Sequence, residues 1–224
     1  MIHRWIWVTV AASILWGSSA LAQLQAGEMT VSIDAGAVGL TGTDVEEYKL
    51  GYGFGGSVRY GLVPGVSLAL GINYGSSQRD KVGEGLATDD GQSSQPVPLK
   101  DEGEMKRLLI SFSGIYDMSP LIGEHVVMPY LTGGIEACRW EHRDADGDLV
   151  VIDGNEAKDI VMGVHMGTGV DWTFTRSLSV GLSYVYHYLF SSDTDRFGML
   201  DHDEKLWKIN GSLAYHFALP LQLF

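Results

Sequence analysis

Glu136, His165 and His187 are the residues of this sequence whose types suit them to handle a proton or a polar substrate, since a carboxylate beside an imidazole can take a proton and return it. Such a pair has a second use that involves no chemistry. Charges taken out of water must be paired and hydrogen-bonded, so the same residues would serve an internal ion-pair network. Ser183 and His187 suggest a nucleophile with its base, but they lie four residues apart. In a strand that spacing is about 13 Å, beyond direct contact. The run Asp144-Ala145-Asp146-Gly147-Asp148 has alternate carboxylates of the kind that hold calcium. A calcium-loop alignment, however, puts His142 at the first ligand and Asp153 at the last. Asp146-Gly147 is therefore read as a tight hairpin turn, with LVVI (149–152) as its returning strand. Cys138 is alone, which excludes an intramolecular disulfide and a multi-cysteine centre. No metal site and no cofactor is expected.

The elements that carry these residues alternate with a period of two. In LSVGLSYVYHYLF (178–190) the even positions are large and apolar, and the odd ones, His187 among them, are mostly small or polar. Seven other stretches behave alike, which predicts strands at 29–40, 51–62, 66–75, 105–117, 126–140, 159–174, 177–190 and 204–217. Short links at 63–65, 118–125 and 175–176 alternate with long polar ones at 41–50, 76–104, 141–158 and 191–203. An even number of long strands with every long link at one end is an antiparallel up-and-down meander. On this register two groups of charges point inward. Arg107, Glu136, His165, His187 and Lys208 lie toward the loops, and Asp34, Arg59, Asp171 and His216 toward the turns. They are expected to form an interior polar network.

The remaining question is which face meets protein. The non-apolar face is rich in Gly, Ser and Ala with scattered charges, which suits the narrow inside of an eight-stranded barrel better than a wet exterior. Aromatics on the apolar face gather toward strand ends. Tyr60, Tyr116, Trp172, Phe174, Tyr215 and Phe217 lie at the turn side, and Tyr52, Phe54, Tyr74, Tyr184, Tyr186, Tyr188 and Trp207 at the loop side. Val, Leu, Ile and Met lie between them. Two aromatic belts around an aliphatic band match the two headgroup levels of a bilayer, so the apolar face is assigned to lipid.

Export is expected too. Arg4, the apolar run from Trp5 to Trp16 and Ala20-Leu21-Ala22 make a secretory signal peptide over 1–22, leaving 23–224 as one barrel domain. Without Arg4, 14 of the 15 basic side chains face 28 acidic ones, a charge of −14 that argues against nucleic acid. A signal peptide and a closed sheet in lipid together indicate a bacterial outer membrane, with periplasmic termini and acidic loops outside.

PYLTGGIEACRW (129–140), GTGVDWTFTRSLSVGLSYVYHYLF (167–190) and GSLAYHF (211–217) resemble the small eight-stranded outer-membrane barrels of the OmpA, OmpX and OmpW type. The resemblance spans the mature chain and rests on patterns of small and aromatic residues. It implies a closing aromatic read by the barrel-assembly machinery. Here ALPLQLF follows Phe217, so either the last strand runs further or the signal is internal; Pro220 favours a tail. The function expected is structural, or surface interaction through the extracellular loops. Its partners would be outer-membrane lipids, lipopolysaccharide and an external ligand. The first alternative is a narrow, porin-like channel for small hydrophobic molecules, as OmpW-like relatives imply. A lipid A-modifying enzyme comes third and is not favoured. Such an enzyme needs its nucleophile and base facing the bilayer, whereas His165, His187 and His216 all point inward and His125, His142 and His202 fall in turns or loops.

Overall fold

The computed structural model describes residues 26–41, 48–79, 103–118, 127–152, 154–175, 177–190 and 203–218. Ten strands run through them: β1 (Glu28–Thr41), β2 (Gly51–Val63), β3 (Val66–Arg79), β4 (Gly103–Asp117), β5 (Val127–Asp144), β6 (Val151–Ile152), β7 (Asn155–Glu156), β8 (Lys158–Thr175), β9 (Leu178–Phe190) and β10 (Glu204–Ala218). Eight close into an antiparallel barrel in the order β1-β10-β9-β8-β5-β4-β3-β2. The first and last strands pair along their whole length, from Glu28↔Ala218 to Thr41↔Lys205, so no sheet edge is left open. Among the described residues no helix is long and apolar enough to cross a membrane.

All eight expected strands are present, within a few residues of their expected ends. The largest departures are β3, which runs on to Arg79, and β5, which runs on to Asp144 and so takes His142 out of the loop and into the barrel wall. The Asp146-Gly147 hairpin forms. Gly147 has φ +86°, a left-handed conformation that a side chain would strain. The Asp144 carboxylate accepts from the backbone N–H groups of Asp146 and Asp148 at 3.0 Å each. The returning strand follows β5 only briefly: Leu149 bridges Arg143 and Val150 N–H donates to the His142 carbonyl. Val151–Ile152 then pairs forward with Asn155–Glu156, a second hairpin with Gly154 at φ +82°. The connection thereby folds back over the barrel mouth and buries Ala157 completely.

The two faces divide as the alternation requires. Ile33, Leu70, Ile135, Met166 and Leu182 are all half-exposed or more on the outside, Met166 to 68%. Neighbouring strands join them laterally, through Val31↔Val58, Val58↔Leu70, Leu70↔Phe112, Phe112↔Ile135 and Ile135↔Val164. A band of this extent exceeds the few hundred Å² of contiguous apolar surface that soluble monomers tolerate. It is a transmembrane surface. Phe112 departs from the expected sorting, since it faces out from within the aliphatic band. Phenylalanine has no polar atom to hold at the headgroup level, so hydrocarbon accepts it anywhere. Where the band ends, the outer face turns ionic: Lys106 pairs with Glu104 at 3.1 Å and Arg143 with Glu141 at 2.9 Å. The 18 residues of β5 exceed the 9–11 or so that span a bilayer, and these charges mark its projecting end.

Candidate functional site

Closing the sheet turns the small-residue face inward, and the lumen so formed is divided along its axis. Toward the long connections it is apolar. Val38, Met105, Leu109, Cys138, Trp140, Val161, Leu189 and Leu206 form one buried cluster, capped by Ala157, with Leu40, Tyr48 and Val150 packed against it. Arg107 is buried inside this layer at 1% exposure. Its guanidinium is satisfied there: Nε donates to Glu204 at 3.1 Å, Nη1 to Ser77 Oγ at 3.4 Å and Nη2 to Met105 Sδ.

Midway along the barrel, three adjacent strands bring Glu136, His165 and His187 together. His165 and His187 sit directly opposite each other across β8 and β9. On β5, Gly134 faces His165, and Glu136 is two residues further along, on the same face. His187 Nδ1 lies 2.9 Å from both Glu136 oxygens. His165 Nδ1 is 3.3 Å from Oε2 but makes no hydrogen bond, while its Nε2 meets Ser113 Oγ at 2.9 Å. The rings are 5.7 Å apart. Glu136 thus gathers both histidines, not one of them.

Toward the short turns the lumen is polar and not filled. A cavity of about 160 Å³ lies among Asp34, Asn73, Ser113, His165, His187 and Lys208, with others. That volume holds several waters. Lys208 donates to Asn73 Oδ1 at 2.6 Å, and its charge faces the carboxylates of Asp34 and Glu136. Below the cavity, Arg59 meets Asp171 at 3.4 Å and donates to Ser67 at 2.6 Å, with its guanidinium over the Tyr130 ring. Tyr130 lies across Gly169, where a Cβ would come within 2.4 Å of the ring. His216 bridges Thr30 at 2.8 Å and Ser179 at 2.7 Å.

The expected interior residues are all inward, but in separate groups. Glu136 joins His165 and His187, Arg59 joins Asp171, and Lys208 stands by Asp34 and Asn73. Arg107 takes its own partner, Glu204, which the sequence reading missed. Its signal was available, since Glu204 shares the inward parity of Leu206 and Lys208. The apolar layer was not expected, because each of its six strands contributes only one or two residues to it. Residues 1–22, His125, His202 and the chain after Ala218 lie outside the described residues.

The fold and lumen define a transmembrane β-barrel, and the chain belongs to the family of the outer membrane protein β-barrel domain, whose model matches residues 8–217. Solved structures of similar fold include the following. Neisserial surface protein A is 16% identical with a TM-score of 0.58, over 85% of this chain and 99% of its own. Ail of Yersinia pestis, in complex with the heparin analogue sucrose octasulfate, is 13% identical with a TM-score of 0.51, over 86% and 100%. A major outer membrane protein of Thermus thermophilus is 16% identical with a TM-score of 0.51, over 84% and 99%. No curated protein sequence matches this chain. The family places it in the bacterial outer membrane.

Proposed function

We propose that this protein is a closed, non-conducting outer-membrane barrel that acts at the cell surface through its long connections, after export by the leader at 1–22. The buried layer of Trp140, Leu189, Leu206 and their neighbours carries this reading. Packed interiors leave few voids larger than a water molecule, so this layer blocks an axial path at the loop end. The third connection, whose Val150 and Ala157 pack with that layer, extends the barrel outward as a platform.

The chemistry of the platform is acidic. Asp144, Asp148, Glu156 and Asp159 belong to or flank it, and the fourth connection adds SSDTDRFGMLDHD (191–203). Ail was solved with a polyanion. The negative charge here favours cationic partners, including divalent ions that bridge lipopolysaccharide phosphates. The test joins two measurements. In planar bilayers the purified protein should give no discrete conductance, and steady channels would overturn the closed reading. Shortening the fourth connection should abolish adhesion or lipopolysaccharide association while the barrel stays folded. Retained interaction would overturn the surface role. The enzyme alternative predicts altered lipid A masses on expression, which this reading does not.

A further inference from the structure

The lumen holds a cluster whose geometry the closed-barrel reading does not use. From it we propose that Glu136, His165 and His187 form a binding site for a single borderline divalent metal ion, of the zinc class, inside the barrel. The proposal is independent of what the surface connections do.

The spacing comes first. One ligand atom from each residue lies within 4.8 Å of the others. A tetrahedral ion with bonds of about 2.0–2.1 Å holds its ligands about 3.3 Å apart. Glu136 Oε2 is 3.3 Å from His165 Nδ1 and 2.9 Å from His187 Nδ1, so both carboxylate–imidazole separations are already close to those of a tetrahedral site. Three rigid, hydrogen-bonded strands supply the ligands, which limits the reorganisation needed to bind.

Hydrogen bonding points the same way. His165 Nδ1 is fully buried and faces a carboxylate oxygen without a hydrogen bond between them. In the tautomer with Nε2–H donating to Ser113 Oγ, Nδ1 presents a lone pair to the centre of the cluster, where a cation would be coordinated. Ser113 then plays the part usual for the partner of a metal-bound imidazole: it sets the tautomer and orients the ring. His187 Nε2 is the complementary orphan, buried with no partner. On binding, the hydrogen of His187 moves from Nδ1 to Nε2, and Nδ1 is freed to coordinate. The 160 Å³ cavity that both histidines line can supply water to the fourth position and to Nε2.

The donor set selects the ion. Two imidazoles and one carboxylate suit zinc and its first-row neighbours, whereas calcium and magnesium prefer all-oxygen sites. Lys208 and Asp34 face the same cavity with opposite charges, and Glu136 is the anion at the ion itself. The apolar layer closes the loop end, so entry is from the turn side.

The test uses the full chain in detergent, stripped with a chelator and titrated with Co²⁺, then with Zn²⁺ in competition. One equivalent of Co²⁺ should give visible bands of low-coordinate intensity, and Zn²⁺ should remove them. His165→Gln and His187→Gln should each weaken binding about 100-fold, and Ser113→Ala about tenfold. X-ray absorption of the zinc-loaded wild type should count two imidazoles, a measurement that needs no variant to fold. Absence of stoichiometric Co²⁺ binding, zinc bound without imidazole, or affinity unchanged by both histidine substitutions would each overturn the site. The last result would assign the ion to the acidic connections.

Discussion

The two ends of the lumen solve the same problem in opposite ways. At the loop end Trp140, Leu189 and Leu206 fill the barrel, and the deeply buried cation there, Arg107, is held by Glu204. At the turn end hydroxyls, amides and ion pairs surround a cavity, and Arg59 and Asp171 keep some contact with solvent, at 14% and 21% exposure. A dry layer derives its stability from volume and fit. A wet one derives it from hydrogen bonds that water can partly replace. The loop end should therefore tolerate substitution less well than the turn end, although both face the same lumen.

Substitutions can break that contrast, and the largest effect is expected at Trp140. Trp140→Ala should cost about 3–5 kcal/mol by leaving a cavity in the packed layer, measured by guanidinium unfolding of the protein in lipid vesicles. A loss below about 1 kcal/mol, the scale of an exposed ion pair, would mean that the layer is not packed.

Arg107→Met comes next, at about 3 kcal/mol, because it strands the Glu204 carboxylate. Arg107→Met with Glu204→Met should recover most of the loss. A double variant no better than the single would remove the pairing from the account.

Glu136→Ala, at the boundary, should cost about 1–3 kcal/mol and lower the melting temperature measurably, since buried His187 loses its hydrogen-bond partner. An unchanged melting temperature would show that Glu136 does not organise His187. The smallest change is expected at the turn end, where Arg59→Gln should cost about 1 kcal/mol or less. A loss at Arg59 as large as that at Arg107 would erase the distinction between the two ends.

Much of this molecule is legible in one dimension. A period of two assigns each residue of a strand to one side or the other, so the alternation placed Glu136, His165, His187, Lys208 and Arg59 in the lumen. The same parity would have marked Glu204, had it been followed one step earlier in β10. The reach of β5 was harder to see. Glu141-His142-Arg143-Asp144 is polar on both faces, since beyond the bilayer neither face need be apolar, and the alternation fades although the pairing continues.

Sequence alone determined the strands, their up-and-down order and the greasy exterior, because these depend on the chemistry of neighbours along the chain. Tertiary structure alone decided which inward residues meet. Barrel closure brings Arg107 of β4 to Glu204 of β10, and the stagger of three strands sets Glu136 between two histidines. Such contacts depend on register and shear between distant segments, and no local pattern encodes them.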